Sequence, residues 1–541
     1  MGNGTPRTLA TSYFANGQVE GHVLPSGAVV RYTYRADGRM LTLRVNGVEI
    51  VRSIDYHAFG EPESWDYGSS DHYQRTVDLD GRVEKHTAGS SIRSLHYDPA
   101  SRIDAQTDSA GGPNQWAYDY DDLDRLESAT NAGNQGAIAN LALGWDYDPT
   151  GNRISETRGV NPPVPYAIEP ISNKLASVNA VTRAYDEAGN TLNDGAGLTS
   201  VYNARNRLIR TNKSGLTTHY AHNAFGERVC KGSAGPSCVQ SPDRSEYVYD
   251  DDGHLIGEYA PNLADHIEIL WLDDTPVALL KRRPGSSDGG PGGGGTPTAW
   301  AGMAAGGVDV YLIQPDHLDT PRVLVNAANA PVWRWDSAPF GDTAANENPT
   351  EGLPNFTFNL RFPGQQYDRE TGTHYNYFRD YEAQTGRYVQ SDPVGLDDDL
   401  GTFNYVGAVP LTSVDPRGLG RCTKVLESLN LCKPRVPKPD RPDLNVPGSG
   451  GLYTVRDCHG NVVYVGQTNN YKKRFNSHWG SNGQFSAWNK KCCPISVDYD
   501  QMKPGASLNQ AEREAIRKHQ PRGNTLLKKK PKLKKKKDLC C

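Results

Sequence analysis

The sequence predicts a mainly β protein followed by a small α/β module, and three observations carry this prediction. Only 36% of the 541 residues are hydrophobic, while 56 Gly and 36 Pro supply many turns. The aromatic residues are mostly tyrosine, 28 Tyr against 11 Phe, and tyrosine suits the half-buried face of a sheet. A short strand-turn-strand pattern also recurs along the first half of the chain.

Most repeats begin with Tyr-Asp and continue with a turn rich in Asp, Asn and Gly and then with Arg beside an aliphatic residue. Gly and Asn tolerate the positive φ of tight turns and Asp bonds its own backbone, so each unit predicts a β-hairpin. The clear copies begin at Tyr97, Tyr120, Tyr147, Tyr185, Tyr202, His222 and Tyr249, and fainter ones at Tyr34 and Asp78. Stacking such hairpins buries a shared face.

These units resemble the YD repeats of the Rhs family and of the related toxin-complex shells. Two longer segments, residues 311–342 and 360–396, resemble the Rhs core-associated region almost throughout. The resemblance implies a YD-repeat β-hairpin shell, in which the strands coil into a complete or partial cocoon around a C-terminal toxic domain.

Composition and resemblance together divide the chain into six segments. Gly/Pro-rich and Pro-rich stretches are typical of flexible inserts and linkers. The segments are a repeat region at 1–283, a flexible insert at 284–297, a core-associated region at 298–419, a Pro-rich linker at 420–450, the α/β module at 451–527 and a Lys-rich tail at 528–541.

The formal net charge of −5 hides a strong asymmetry. Residues 451–541 carry +13 and residues 1–450 carry −18. A basic module beside an acidic body is typical of a domain that binds a polyanion, most often nucleic acid. The alternative is a basic segment that is simply solvated.

The distribution of cysteines also changes close to the boundary between the acidic body and the basic module. Only Cys230 and Cys238 lie in the long body, and the other seven cysteines lie between Cys422 and Cys541. An odd total with two adjacent pairs argues against a disulfide framework. Cys458, His459, His478, Cys492 and Cys493 offer zinc-type donors without a zinc-type spacing, and reduced thiols are the alternative.

The sequence argues against a membrane protein and against export through a signal peptide. No run approaches the roughly 18 to 20 apolar residues of a spanning helix. The first dozen residues have neither a charged lead nor an apolar core. We therefore expect no membrane insertion and synthesis in the cytoplasm of the producing cell.

Two copies of the motif DPxGL, at 392–396 and 415–419, lie 23 residues apart. From the residues alone, Asp-Pro-x-Gly is a good turn sequence. In Rhs proteins and toxin-complex shells the second motif is where the chain cuts itself. The resemblance therefore implies cleavage of the bond between Leu419 and Gly420.

The same resemblance assigns Asp392 and Asp415 as an aspartyl pair. Two carboxylates held close together share one proton, which provides a general base for water and a general acid for the leaving amine. Arg387 is expected to position or polarise the group that is attacked.

The module after residue 450 reads as two short strands, 452–456 and 462–465, and two helices, 470–479 and 508–519. It resembles the GIY-YIG nucleases through Gly-Leu-Tyr at 451–453 and Tyr-Val-Gly at 464–466. The spacing of the candidate catalytic residues also follows that family. These residues are Tyr453, Tyr464, Arg474, His478, Glu512 and Asn524. The alternative is a basic structural module.

The resemblance implies metal-dependent hydrolysis of a phosphodiester. Glu512 is the expected ligand of one Mg²⁺, because a carboxylate is a hard oxygen donor. Glu514 competes for that role, but only Glu512 lies 12 residues before Asn524. Arg474 is expected to neutralise the phosphate through its fork of donors.

The remaining site residues have supporting roles in the same scheme. Tyr453 is the expected general base or its relay, with Tyr464 sharing or orienting that role. His478 is expected to assist proton transfer, and Asn524 to orient the site by hydrogen bonding.

Lysines in and after the module are expected to contact the phosphate backbone without reading sequence. They are Lys472, Lys473, Lys528, Lys529, Lys530, Lys532, Lys534, Lys535, Lys536 and Lys537. The Lys-rich tail also looks like a nuclear-localisation run, and a solubilising tail is the alternative.

The leading functional hypothesis is a delivered toxin that cuts nucleic acid in the cytoplasm of a target cell, with DNA the favoured substrate and RNA the alternative. It implies a cognate immunity protein in the producer and delivery by type VI secretion or a similar machinery. The alternatives are a non-enzymatic YD-repeat surface scaffold and a housekeeping repair nuclease.

Overall fold

The computed structural model describes residues 7–57, 60–68, 71–260, 266–282, 308–397 and 400–423, and three strands beyond them. The chain divides into two compact units, Met1–Lys424 and Val425–Cys541. The boundary between the units falls within the predicted linker at 420–450. The predicted flexible insert at 284–297 lies outside the described residues. Among the described residues, no helix has the length and apolar character that crossing a membrane requires.

The first unit begins with an antiparallel meander of 17 strands, in which each strand pairs with the next along the chain. The strands are β1 Ala10–Tyr13, β2 Val19–Val23, β3 Val29–Tyr34, β4 Met40–Val45, β5 Val48–Tyr56, β6 Pro62–Tyr67, β7 His72–Val77, β8 Val83–Ala88, β9 Ser91–Tyr97, β10 Ile103–Asp108, β11 Gln115–Tyr120, β12 Leu126–Asn131, β13 Ala142–Tyr147, β14 Arg153–Arg158, β15 Val164–Ile168, β16 Leu175–Val178 and β17 Val181–Thr182.

A second meander of 13 strands follows with the same pairing rule. The strands are β18 Ala184–Tyr185, β19 Thr191–Asn193, β20 Leu198–Tyr202, β21 Leu208–Lys213, β22 Leu216–His222, β23 Arg228–Gly232, β24 Ser245–Tyr249, β25 Leu255–Tyr259, β26 Ile267–Leu272, β27 Thr275–Arg282, β28 Val308–Pro315, β29 Pro321–Val325 and β30 Pro331–Arg334. Because β27 pairs with β28, the repeat region and the core-associated region share one sheet.

Smaller sheets complete the described structure. The first unit has a four-stranded sheet and a two-stranded one, and the second unit has a three-stranded sheet in the order β38-β37-β39. The strands are β31 Gln366–Asp368, β32 Thr373–Asn376, β33 Arg379–Glu382, β34 Arg387–Tyr388, β35 Ser413–Val414, β36 Cys422–Thr423, β37 Gly451–Arg456, β38 Val462–Thr468 and β39 Ser496–Gln501.

The described helical structure consists of short 3-10 turns: Ser109–Gly111, Gly136–Ile138, Cys238–Gln240, Gly395–Asp397 and Val406–Ala408. The predicted mainly β class is confirmed. The two predicted helices of the module, at 470–479 and 508–519, lie outside the described residues.

The Tyr-Asp-Arg pattern forms hairpins because its side chains satisfy the turn. Asp98 accepts hydrogen bonds from the backbone N–H groups of Ala100 and Arg102, each at 2.9 Å, and from Arg102 Nε at 2.7 Å. The Arg102 guanidinium then lies 4.8 Å from the ring centre of Tyr120, the tyrosine of the next repeat. The Tyr120 hydroxyl donates back to the carbonyl of Ile103 at 2.7 Å. Each repeat is thereby tied to its neighbour.

The same contact pattern recurs along the meander. It is made by Asp78, Arg82 and Tyr97, and by Asp121, Arg125 and Tyr147. The tyrosine hydroxyl of a repeat donates to the backbone of the preceding repeat even where another residue replaces the arginine, as Tyr185 does to Leu175 and Tyr202 to Thr191. A buried hydroxyl normally needs such a partner.

His254 takes the arginine position in one of the later repeats. Its ring is stacked on Trp271 at 4.6 Å and hydrogen bonds to Asp250 at 3.0 Å and Asp274 at 2.8 Å. Burial opposes the charge on this imidazole, but the two carboxylates outweigh burial and raise its pKa to about 10. The histidine is therefore a cation at neutral pH, as arginine is in the other repeats.

Buried ion pairs join the meanders to the smaller sheet that follows. Arg228 on β23 bonds Asp368 at 2.7 Å and Gln366 at 2.7 Å. Lys231 bonds the second oxygen of Asp368 at 2.9 Å and also Glu370 at 2.9 Å. Asp368 is fully buried, so its two cationic partners offset the cost of burying its charge.

Cys230 and Cys238 form a disulfide, with their Cα atoms 6.1 Å apart. The sequence analysis argued against a disulfide framework and did not predict this single bridge. The chain reverses after β23 and the turn at Cys238–Gln240 returns Cys238 to the strand, a local contact that counting cysteines over the whole chain does not reveal. No group of three or more metal-binding side chains occurs among the described residues. The zinc-type candidates of the module lie outside them.

We predict that His254 makes the stability of the first unit fall at alkaline pH. Its folded-state pKa lies above the unfolded value, so its contribution is complete below about pH 6.5 and is lost as the pH rises through about 10. His254→Arg keeps the cation and should remove a loss on the order of 3 kcal/mol. Thermal unfolding midpoints measured from pH 6 to 10 test this.

The matched control is His96→Arg, because His96 pairs with Asp104 on a strand surface where 74% of its side chain is exposed. That substitution should leave the pH dependence of unfolding unchanged. Parallel curves for the wild type and His254→Arg would show that the charge on His254 does not stabilise the fold.

Candidate self-cleavage centre and nuclease strands

Arg379 bridges the two aspartates of the DPxGL motifs. Its Nη2 lies 2.9 Å from an oxygen of Asp392 and 3.1 Å from an oxygen of Asp415. Arg379 projects from β33, Asp392 follows β34, and Asp415 follows β35 directly. The three side chains are at most 7% exposed. The fold therefore brings together two carboxylates that the sequence separates by 23 residues, and it places one shared cation between them.

Asp415 is held by donors on both of its oxygens. Oδ2 accepts the bond from Arg379 and another from the Tyr388 hydroxyl at 2.8 Å. Oδ1 accepts from the backbone N–H of Leu419 at 2.9 Å. Asp415 is thus fixed beside the residue that precedes the predicted scissile bond.

The segment leading to the predicted scissile bond is also anchored through its backbone. Arg379 Nε donates to the carbonyl of Gly418 at 2.6 Å. Gly418 has φ +66°, and a Cβ there would lie 2.6 Å from the carbonyl oxygen of Asn376. Only glycine fits this position without displacing the chain. Leu419 is buried and Gly420 is partly exposed, so the bond between them lies where the chain leaves the interior.

Asp380 follows Arg379 on β33, and sequence reasoning missed both residues. Its charged neighbours are Arg228, Asp368 and Arg207. Its side chain accepts from Gln390 Nε2 at 2.8 Å and is fully enclosed. Burial raises the pKa of Asp380 to about 6, although the Gln390 bond works in the opposite direction. A carboxyl with that pKa retains a proton on part of the molecules near neutral pH. Nothing in a single sequence distinguishes Arg379 or Asp380 from the many other charged residues.

Arg387 does not contact either aspartate. Its guanidinium donates to the Asn152 side chain at 2.9 Å and to the Asn173 carbonyl at 2.6 Å, both in the first meander. Burial lowers its pKa to about 10. Arg379 therefore occupies the position beside the two carboxylates, and Arg387 connects the four-stranded sheet to the repeats.

This arrangement contains the groups that hydrolysis of a peptide bond requires. A carboxylate can take a proton from water, a protonated carboxyl can give one to the leaving nitrogen, and a guanidinium can stabilise negative charge on the oxygen that is attacked. Asp415 and Arg379 both bond the segment that precedes Gly420.

The two tyrosines of the predicted nuclease motifs lie on paired strands. Tyr453 is on β37 and Tyr464 is on β38, and the register sets Tyr464 opposite Val455. Residues two apart on a strand share a face, as do residues directly opposite each other. Both tyrosine positions therefore belong to one face of the sheet. The strands predicted at 452–456 and 462–465 are confirmed, with slightly longer bounds.

The sheet also contains a third strand that the sequence analysis did not predict. β39 pairs with the other edge of β37 and sets Tyr499 opposite Tyr453. Its apolar and polar residues alternate from Ile495 to Asp500, a strand signal that the sequence analysis did not use. The other predicted nuclease residues lie outside the described residues. They are Lys472, Lys473, Arg474, His478, Glu512, Asn524, Lys528, Lys529, Lys530, Lys532, Lys534, Lys535, Lys536 and Lys537.

Residues 449–525 match the family model described as the GIY-YIG catalytic domain. The match spans both tyrosine strands and the third strand. It also includes Arg474, His478, Glu512 and Asn524, the residues that the sequence analysis assigned to catalysis.

Much of the chain is similar to larger proteins. It is 25% identical over 449 residues to "Double-stranded DNA deaminase toxin A" of Burkholderia cenocepacia, which covers 80% of this chain and 28% of that protein. It is 25% identical over 435 residues to "Probable deoxyribonuclease RhsB" of Dickeya dadantii, covering 77% of this chain and 26% of that protein. The chain thus spans about a quarter of the length of these relatives.

The fold is similar to that of a solved toxin-complex assembly. The crystal structure of TcdB2-TccC3-Cdc42 matches with a TM-score of 0.59 and 18% identity, covering 78% of this chain and 22% of that one. The strand meanders and the match at 449–525 agree with these similarities. The chain is similar to Rhs proteins over most of its length, and residues 449–525 form a GIY-YIG domain.

Proposed function

We propose that this chain is a toxin whose YD-repeat body cuts itself after Leu419 and whose GIY-YIG domain is an endonuclease. The observation that carries the proposal is the match of residues 449–525 to the GIY-YIG catalytic domain. The register that sets Tyr453 and Tyr464 on one face of a sheet supports it. Relatives whose names contain toxin and deoxyribonuclease support both parts.

The self-cleavage step adds water across the bond between Leu419 and Gly420. A carboxylate of the pair takes a proton from water, the hydroxide adds to the Leu419 carbonyl carbon, and the leaving nitrogen of Gly420 receives a proton. Arg379 keeps the two carboxylates together and holds the Gly418 carbonyl. Because the reacting groups are held in place before the reaction begins, less entropy is lost on reaching the transition state.

The nuclease step is hydrolysis of a phosphodiester, with DNA as the favoured substrate. Glu512 would hold one Mg²⁺, which when bound would supply positive charge to the site. Arg474 adds a bidentate contact to the phosphate. Tyr453 and Tyr464 accept or relay the proton of the attacking water, His478 assists that transfer, and Asn524 orients the site.

The biological setting follows from this chemistry. A nuclease made in the producer cytoplasm endangers the producer, so a cognate immunity protein is required. The nuclease acts in the cytoplasm of a target cell and needs delivery machinery, type VI secretion or a similar system, to arrive there.

Self-cleavage predicts that the purified chain consists of two pieces that separate between Leu419 and Gly420. Asp392→Asn or Asp415→Asn removes a group that can move a proton and should leave the chain whole, slowing cleavage by at least about a hundredfold. Intact mass spectrometry of the folded protein measures this.

Asp148→Asn is the matched control for these variants. Asp148 caps a repeat turn through Thr150 and Asn152, so the substitution perturbs a hairpin and should leave cleavage complete. A wild-type chain that keeps its full mass after folding would contradict the proposal.

Metal-dependent catalysis predicts that Glu512→Gln abolishes cleavage of nucleic acid while binding survives. The amide keeps the size of the side chain and removes the charge that holds Mg²⁺, so the rate should fall by a factor of roughly a thousand or more. Plasmid and RNA cleavage with Mg²⁺ or EDTA, together with a binding assay, measure both effects. Glu514→Gln is the control. Activity that resists EDTA would refute the metal-dependent mechanism.

Removal of residues 528–541 should weaken binding to nucleic acid and leave the chemical step intact. Lysine contacts to phosphate release counterions, so losing eight lysines should flatten the dependence of affinity on salt. Affinity measured between about 50 and 200 mM salt, with single-turnover rates on bound substrate, separates the effects. An unchanged salt slope would show that the tail does not touch the phosphate backbone.

A further inference from the structure

Tyr388 links the carboxylate pair to a buried amide. Its hydroxyl lies 2.8 Å from Asp415 Oδ2 and 2.8 Å from Asn376 Nδ2. Tyr388 is 3% exposed, Asn376 is 0% exposed and Asp415 is 2% exposed. The three side chains come from β32, β34 and the segment after β35. These hydrogen bonds connect Asn376 and Tyr388 to Asp415 and do not involve the bond between Leu419 and Gly420.

The direction of these hydrogen bonds is fixed by the chemistry of the amide. Asn376 Nδ2 donates to the Tyr388 oxygen and also to the backbone carbonyl of Asp415 at 2.9 Å. The opposite orientation would set the amide oxygen against that carbonyl, two acceptors facing each other. Because the tyrosine oxygen already accepts from Asn376, the hydroxyl proton points to Asp415.

The ring of Tyr388 contributes a second contact to the same centre. The Arg379 guanidinium carbon lies 3.6 Å from the ring centre, and an arginine over an aromatic face is attracted to it. Tyr388 therefore orients Asp415 through its hydroxyl and Arg379 through its ring. It is the one described side chain that contacts both members of this pair in these two ways.

We propose that Tyr388, oriented by Asn376, is a positioning residue for self-cleavage, which fixes Asp415 through its hydroxyl and holds Arg379 between the two aspartates through its ring. The proposal rests on the self-cleavage proposed above. Tyr388 acts through Asp415 and Arg379 and does not act on the bond between Leu419 and Gly420 itself.

The groups that face Asp415 come from several elements. Among the described residues they are Arg379 on β33, Tyr388 on β34, Asp392 after that strand, and Tyr405. The charge on Asp415 contributes to the raised pKa of the buried Tyr405 phenol, after burial and Tyr381. Burial, and then the charge on Asp415, raise the pKa of Tyr388 well above its usual value. The phenol therefore stays protonated and remains a donor throughout the pH range in which proteins are stable.

The test compares self-cleavage of the full chain in wild type and Tyr388→Phe. Unfolded chain recovered in denaturant is diluted into buffers from pH 5 to 9, and the uncleaved fraction is followed by mass. Phe keeps the ring and removes one donor to a charged group, so the rate at pH 7 should fall about tenfold or more. The acid side of the pH–rate profile should also move to higher pH, because a carboxylate of the centre loses a hydrogen-bond donor. Tyr388→Leu, which also loses the ring, should be slower still.

Tyr381→Phe is the matched control. Tyr381 is equally buried in the same sheet, 5.8 Å from Tyr388 between ring centres, but its hydroxyl donates to the Phe340 backbone carbonyl. Its pH–rate profile should coincide with that of the wild type. Asn376→Asp provides an independent test, because it replaces the donor by an acceptor of the same shape and draws the hydroxyl proton away from Asp415. It should move the acid side in the same direction as Tyr388→Phe.

The outcomes separate this inference from the function on which it rests. A wild-type chain that never cleaves overturns self-cleavage itself. Cleavage of the wild type with the same rate and pH profile in Tyr388→Phe overturns only the positioning role. A Tyr388→Phe chain that does not regain native tryptophan fluorescence assigns the hydroxyl to folding and also overturns the inference, as does a Tyr381→Phe profile that shifts equally.

Discussion

The hydrogen bond from each repeat tyrosine to the backbone of the preceding repeat is the contact on which the long meanders depend. Tyr120 donates to Ile103, and its ring receives the guanidinium of Arg102, which Asp98 holds in place. Each such tyrosine thus connects its own strand to the turn and strand of the preceding repeat. A sheet built from such units needs little hydrophobic volume per residue, which agrees with a chain that is only 36% hydrophobic.

The repeats support the sheet beside which the carboxylate pair lies. Arg228 and Lys231 bind the buried Asp368 at the start of the four-stranded sheet, and Arg387 binds Asn152 and Asn173 from its last strand. Breaking a buried ion pair costs about 3 to 5 kcal/mol because the remaining charge is left without a partner. These contacts fix the sheet, and the sheet in turn fixes Arg379 between Asp392 and Asp415.

Local patterns were predicted well and long-range partners were not. The hairpins and the first two module strands follow from turn residues and alternation, which act over a few positions. The sequence analysis expected Arg387, in the same run of residues as Asp392, to position or polarise the group that is attacked. Successive side chains on a strand point to opposite faces. Tyr388 therefore reaches Asp415, while Arg387 beside it turns to the repeats.

The sequence by itself determined the β class, the division into an acidic body and a basic module, the paired DPxGL motifs and the spacing of the GIY-YIG residues. Each of these is a property of neighbouring residues or of composition, so it is visible without a fold. Only the tertiary structure decided that Arg379 bridges the aspartates, that Tyr388 and Asn376 lie behind Asp415, and that Cys230 and Cys238 are bonded. The contacts made from strands depend on strand register and on which face each residue occupies. A register shift of one residue would turn the side chains of a strand to the opposite face of the sheet.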